Sequence, residues 1–155
     1  MKKIPSVFLL ILIAATPGLG EETSFSRVKV PDASGKQTRA VLTFSDDNKA
    51  IEVRPNKGTQ VTIPYAQIYK CSYEFTQRHR VNEGSVALAP IGVGAVVMMT
   101  KSKSHWLEIE YHGQDMMKSF VLRMDKHDYV HILDALKAHT GVEAEVLGNA
   151  DKRGR

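Results

Sequence analysis

The chain has 155 residues, of which 21 are Lys or Arg and 17 are Asp or Glu, and its formal net charge at pH 7 is +4. Lys2, Lys3 and the last five residues supply all of this excess, so residues 21–150 carry no net charge. A general nucleic-acid-binding protein gathers Lys and Arg on a face that neutralises many phosphates. The charge distribution excludes that class, and with it nucleic acid as a partner.

The first twenty residues have the pattern of a secretory signal. Lys2 and Lys3 precede an apolar run of about nine residues, Val7 to Ala15, and small residues follow up to Gly20. A helix that spans a bilayer needs roughly 20 apolar residues, so this run is too short for a permanent anchor. We expect residues 1–20 to be a cleaved signal peptide and the protein to be exported, to the periplasm or the extracellular space.

Residues 21–35 form a polar leader, and the pattern then changes to short alternating segments separated by turn residues, as in antiparallel strands. Six such segments follow, at 39–44, 51–53, 61–63, 69–76, 105–111 and 116–124. In the fourth, Tyr69, Cys71, Tyr73 and Phe75 share the face that we expect to be buried. Cys71 is the only cysteine, which excludes an intramolecular disulfide and predicts a buried, inert thiol.

After the last strand the apolar period changes from that of a strand to that of a helix. Asp125 can cap a helix over residues about 125–140, and Gly141 can end it. One apolar stripe of this helix is formed by Tyr129, Ile132, Leu133 and Leu136. Residues 148–155 have charge and glycine but no large apolar side chain, which predicts a disordered basic tail.

Several meandering strands followed by one amphipathic helix resemble the pleckstrin-homology-like superfold, including small exported bacterial proteins of that type. The resemblance covers residues 36–147 and lies in the strand order, the Ile63-Pro64-Tyr65-x-x-Ile68 crossover and the end of the helix. It implies a mainly β (α+β) domain, a curled antiparallel sheet or small barrel of about six to seven strands capped by a C-terminal helix. It also implies a scaffold that binds lipid headgroups, peptides or proteins. The turn at 45–49 is acidic, unlike that of phosphoinositide-binding members, so no ligand-binding residue is transferred.

The segment 86–99 is an uncharged run between strands that otherwise alternate. Cations lie on both sides of it: Arg78 and Arg80 before, Lys101 and Lys103 after. In one interpretation it forms one or two buried strands with a bend at its Pro and Gly residues. In the other it contacts a membrane, since a large uncovered apolar patch marks a contact site. The side chains that would make this contact are Ile91, Val93, Val96 and Val97, with Trp106 at the base of the adjoining hairpin.

Other candidate sites are weaker. His127 and His131 have the helical spacing of two zinc ligands, but no third ligand is evident. Glu108 and Glu110 lie two apart on a predicted solvated sheet face, where carboxylates keep ordinary pKa values that suit catalysis poorly. The mature chain has no nucleophile elbow, phosphate-binding glycine loop or paired C-x-x-C motif. We therefore predict no catalytic residue, no metal and no cofactor.

The sequence thus predicts an exported, non-enzymatic binding module. The favoured hypothesis is reversible association with a membrane surface or an envelope membrane protein through the 86–99 segment, with the protein peripheral to the membrane. The alternative is a soluble domain that binds a protein or peptide partner, with 86–99 as buried core strands.

Overall fold

The computed structural model describes residues 22–32, 34–76 and 102–148. Within these ranges the chain forms eight strands, one α-helix (α1, Tyr129–Thr140) and one turn of 3-10 helix at Tyr65–Gln67. The strands are β1 (Thr23–Pro31), β2 (Gln37–Ser45), β3 (Ala50–Pro55), β4 (Val61–Pro64), β5 (Ile68–Thr76), β6 (Ser104–His112), β7 (Met117–Met124) and β8 (Glu145–Leu147). The predicted signal 1–20, most of the predicted tail and the segment 86–99 lie outside the described residues.

The eight described strands form a single sheet in the order β4-β3-β2-β1-β7-β6-β5-β8. Neighbouring strands are antiparallel except β5 and β8, which are parallel. The sheet is curled and does not close, because β4 and β8 remain its two edges. This mainly β, α+β architecture is the predicted fold class and is consistent with a pleckstrin-homology-like fold. The sheet is mixed rather than wholly antiparallel, and it has one or two strands more than expected.

The first additional strand is β1, which occupies part of the predicted polar leader 21–35. Val28 and Val30 are fully buried, and they place β1 in the middle of the sheet between β2 and β7. A β-bulge between Phe25 and Val28 interrupts the alternation, which conceals the strand in the sequence. The leader prediction is therefore wrong for this part of the chain.

The core lies inside the curl of the sheet, where α1 covers it. Its buried members are Val28, Val30, Ala40, Leu42, Phe44, Ile51, Val53, Val61, Ile63, Cys71, Leu107, Ile109, Tyr111, Phe120, Leu122, Met124, Ile132 and Leu136. The predicted helix stripe is confirmed, because Ile132 and Leu136 are buried and Tyr129 and Leu133 pack against the same cluster. Cys71 is buried as expected, and this burial raises the pKa of its thiol to about 12.

The helix begins later than predicted. Asp128 and not Asp125 is its N-cap residue, while the Asp125 carboxylate accepts the backbone N–H of His127 at 2.9 Å in the preceding turn. The helix ends as predicted at Gly141, whose positive φ of 73° suits glycine and whose N–H donates to the Lys137 carbonyl.

Strand β5 is less regular than its sequence pattern indicates. Ile68 pairs with Tyr111 and Lys70 pairs with Glu110, so Tyr69 is an extra residue in β5 that forms a β-bulge. The Tyr69 side chain is 64% exposed. Phe75, near the end of the strand, is 50% exposed. The predicted buried face therefore holds for Cys71 and in part for Tyr73, but not for Tyr69 and Phe75.

Candidate functional site

A cleft of about 450 Å³ lies beside Lys29 and Arg123. Among the described residues these two form the only register pair between β1 and β7. The walls of the cleft come from β1, the end of β5, the start of β6 with the two residues before it, and the end of β7 with the two residues after it. The described residues that line it are Arg27, Lys29, Phe75, Ser102, Lys103, Ser104, His105, Arg123, Met124, Asp125 and Lys126. Five of these are cations and one is an acid.

Three cations form a row across the outer face of the sheet near this cleft. Lys29 lies directly opposite Arg39 of β2 and directly opposite Arg123 of β7. Strand alternation puts Lys29 on the face opposite to the buried Val28 and Val30. Like charges that face each other across strands destabilise a sheet. Among the described residues none of these three cations forms an ion pair, so the row is an electrostatic cost to the fold.

Arg27 differs from its neighbours because its charge is balanced within the chain. Its Nε donates to Asp128 at 2.8 Å, a second nitrogen donates to the other oxygen of that carboxylate, and Asp125 lies 4.0 Å away. The N–H of His127, followed by the charge of Arg27, holds the pKa of Asp125 below its usual range. Asp125 is therefore ionised, and the cations that act on it are Arg27 and the adjacent Lys126, while Lys29, Lys103 and Arg123 keep their excess charge.

The other wall of the cleft is aromatic. The His105 ring stacks on Tyr129 at 3.8 Å and on Phe75 at 4.6 Å between centroids. Its Nδ1 lies 2.7 Å from the Tyr73 hydroxyl, and burial lowers the His105 pKa, so the ring is neutral at pH 7. Lys103 Nζ lies 5.9 Å from the centre of the Phe75 ring, within the range of a cation–π contact. These contacts place a cation and an apolar ring side by side.

The cleft lies where the chain leaves the sheet after Thr76 and rejoins it at Ser104. Thr76, the last residue of β5, is the register partner of Ser104, the first residue of β6. The intervening chain therefore leaves and rejoins the sheet at neighbouring points. Ser102, Lys103 and Ser104 follow that chain directly and line the cleft.

The structure describes two of the residues predicted to contact a membrane. Lys103 is exposed and lines the cleft. Trp106 is fully buried beside Val121, and its Nε1 donates to the Thr76 carbonyl at 3.2 Å, so its indole is part of the packed sheet. The other predicted contacts, Arg78, Arg80, Ile91, Val93, Val96, Val97 and Lys101, lie outside the described residues.

The outer face of β6 is not solvated as expected. Glu108 is only 1% exposed, and its carboxylate accepts the Ser119 hydroxyl at 2.6 Å. The carboxyl group is thus held by a hydrogen bond within the sheet, as a buried polar group requires. Glu110 is only partly buried, so the two carboxylates of the predicted face have different surroundings.

A second polar cluster, which the sequence analysis did not identify, lies at the other end of α1. His139 Nδ1 lies 2.8 Å from Asp46, its Nε2 lies 3.1 Å from the Thr23 hydroxyl, and its ring stacks on Phe44. A hydroxyl, an imidazole and a carboxylate in this order occur in nucleophilic catalysis. Here they also join the helix to β1 and to the β2–β3 turn. The three residues are far apart in the sequence, so no local motif marks them.

The two histidines with zinc-ligand spacing are not on one helical face. His127 lies in the turn before α1, and His131 lies on the exposed surface of the helix. In the described ranges no group of three or more His, Cys, Asp or Glu residues has the arrangement of a metal site. Within the same ranges no helix is both long enough and apolar enough to cross a bilayer.

Comparison with known proteins gives a limited result. No family model matches the chain, and no curated protein matches it significantly. Among solved structures, the Spt16D–Pob3N heterodimer contains a chain that is 11% identical, with a TM-score of 0.49. The match covers 88% of this chain and 60% of that chain, so this chain spans less than two thirds of its neighbour. No activity or residue role is transferred at this similarity, and the fold assignment rests on the sheet topology described above.

Proposed function

We propose that this protein is an exported, non-enzymatic binding module that associates with an anionic membrane surface through the 86–99 segment. The observation that supports this is the position of the cationic cleft at the two attachment points of that segment. In this proposal the apolar side chains of the segment and the cations of the cleft contact the membrane together.

The physical chemistry of peripheral membrane binding requires both features. Apolar side chains that enter the headgroup region contribute binding free energy in proportion to the apolar area that they bury. Each Lys or Arg near an anionic leaflet adds about 1 kcal/mol to this binding free energy. Lys29, Lys103, Arg123 and Lys126 provide the cations in the described part of the chain. Residues 21–150 carry no net charge, so this attraction depends on where the cations lie and not on the total charge of these residues.

The test is cosedimentation with vesicles of phosphatidylcholine alone and of phosphatidylcholine with phosphatidylglycerol. Residues 21–155, which retain every described element, are expected to sediment with the anionic vesicles. Val93→Asp with Val96→Asp should abolish binding without changing the circular dichroism spectrum. The control is the double variant Asn56→Asp, Thr59→Asp, which makes the same charge change at two exposed turn positions. It should still bind.

Two outcomes would contradict the proposal. A folded wild-type protein that stays in the supernatant with both kinds of vesicle would exclude membrane-surface binding. Unfolding of the Val93→Asp, Val96→Asp variant would identify the 86–99 run as core strands.

A second candidate function is a soluble domain that binds a protein or peptide. The open sheet favours it, because β4 and β8 are edges to which an extended peptide can add a strand. Val146 on β8 is 51% exposed and would be covered by such a partner. This candidate predicts a monodisperse protein that ignores vesicles of any charge, and a partner whose binding is lost in Val146→Pro.

A further inference from the structure

We propose that the cleft beside the Lys29–Arg123 pair of β1 and β7 binds one phosphate group, with Lys29 and Arg123 as its main contacts and Lys103 and Lys126 at its rim. The inference rests on the proposed function for the source of the phosphate, which would be a lipid headgroup. The binding itself is argued from the cleft alone.

The first argument is the charge of the cleft. Lys29 faces Arg123 directly, and Arg39 faces Lys29 from the other side. Among the described residues no carboxylate pairs with these three cations, while Asp125 and Asp128 are turned to Arg27. Two like charges at one register position repel each other, and an anion bound beside them would be attracted by both.

The second argument is the chemistry of the donors. The planar guanidinium of Arg123 can donate two parallel hydrogen bonds to a phosphate, and the Lys29 ammonium adds a point charge. Both side chains are partly buried, so their charges are less screened than those of surface residues. Two such cations at one register position match the two charges of a phosphate dianion better than they match the single charge of a carboxylate.

The third argument is the shape of the cleft. A volume of about 450 Å³ is within the range of small-molecule sites and exceeds the needs of an inorganic ion. Phe75, which is half exposed, supplies apolar surface next to the Lys103 ammonium. A phosphate attached to a carbon skeleton, as in a phospholipid headgroup or a small phosphate ester, would therefore contact both walls.

The test compares Arg123→Gln with Arg54→Gln, which removes the same charge from an exposed position of β3. Sodium phosphate and glycerol phosphate are titrated into residues 21–155 at constant ionic strength, and amide resonances are followed by NMR. In the wild type and in Arg54→Gln, shifts should concentrate on the residues that line the cleft. Arg123→Gln should weaken binding about tenfold, the loss expected for charged hydrogen bonds.

The same proteins are then sedimented with the phosphatidylglycerol vesicles. If Arg123→Gln loses both phosphate and vesicle binding, the ligand is a headgroup. If it loses only phosphate binding, the ligand is a free phosphate ester. If the wild type binds phosphate but no vesicle, the proposed function fails and the phosphate site stands.

The inference is overturned if phosphate shifts no cleft resonance, or if Arg123→Gln and Arg54→Gln bind phosphate equally. Vesicle binding that persists in that case leaves the proposed membrane function intact. Should Arg123→Gln fail to fold, as judged by circular dichroism, Lys29→Gln replaces it, with Lys57→Gln in an exposed turn as its control.

Discussion

The two ends of helix α1 carry polar clusters of opposite character. In the last turn, both ring nitrogens of His139 have partners, Asp46 and Thr23, and the ring lies against Phe44. Near the first turn, the cleft beside Lys29 and Arg123 has more cations than the described acids can neutralise. The comparison separates two uses of polar groups. Closed hydrogen bonds stabilise the fold, whereas unbalanced charge costs stability and is retained for a ligand.

The largest loss of stability is expected from His139→Ala. It removes two hydrogen bonds and a ring contact, so the free energy of unfolding should fall by about 2 kcal/mol. The thermal midpoint should drop by roughly 5–10 °C. His131→Ala, an exposed position on the same helix, is the control and should melt near the wild type. Hydrolysis of an activated ester that His139→Ala abolishes without unfolding would instead assign a catalytic role to this cluster.

Removing a cation of the cleft should raise the free energy of unfolding. Lys29→Gln relieves its repulsion with Arg39 and Arg123, so without phosphate the free energy of unfolding should rise by about 0.2–1 kcal/mol. Urea titration measures this difference. A loss of stability comparable to that of His139→Ala would show that Lys29 is structural, and the contrast between the two clusters would then be wrong.

The pH dependence of stability tests the aromatic wall of the cleft. Burial lowers the pKa of His105 in the folded protein from its ordinary value of 6.5, so the unfolded chain binds the proton more readily. The free energy of unfolding should therefore fall as the pH drops below about 6.5. His105→Phe should reduce this fall, as measured by urea titration at pH 7.5 and 5.5, and identical slopes would contradict the assignment.

The smallest change in stability is expected from Arg27→Gln. Arg27 is more than half exposed in its ion pair with Asp128, so the thermal midpoint should change less than in His139→Ala. The change should nearly vanish at about 0.5 M salt, where exposed charges are screened. Phosphate should bind somewhat more weakly, because Asp125 and Asp128 would no longer be neutralised. Unchanged phosphate affinity would mean that these carboxylates do not act on the cleft.

Local patterns in the sequence predicted much of the fold. The helix stripe of Ile132 and Leu136, the glycine stop at Gly141 and the buried Cys71 all depend on near neighbours along the chain. The start of the helix was misplaced because Asp125 and Asp128 are both plausible caps. Strand β1 was missed because Val28 and Val30 are too short a pattern to outweigh the polar residues around them.

What the sequence by itself determined is the helix and six of the eight described strands, since side-chain period and turn residues act over a few positions of the chain. The tertiary structure alone decided which side chains meet. Lys29 and Arg123 belong to opposite ends of the described chain, and only the pairing of β1 with β7 places them together. Charge counted along the sequence sums to zero over residues 21–150. Electrostatic energy depends on distance in space, so a neutral chain can still form a cationic cleft.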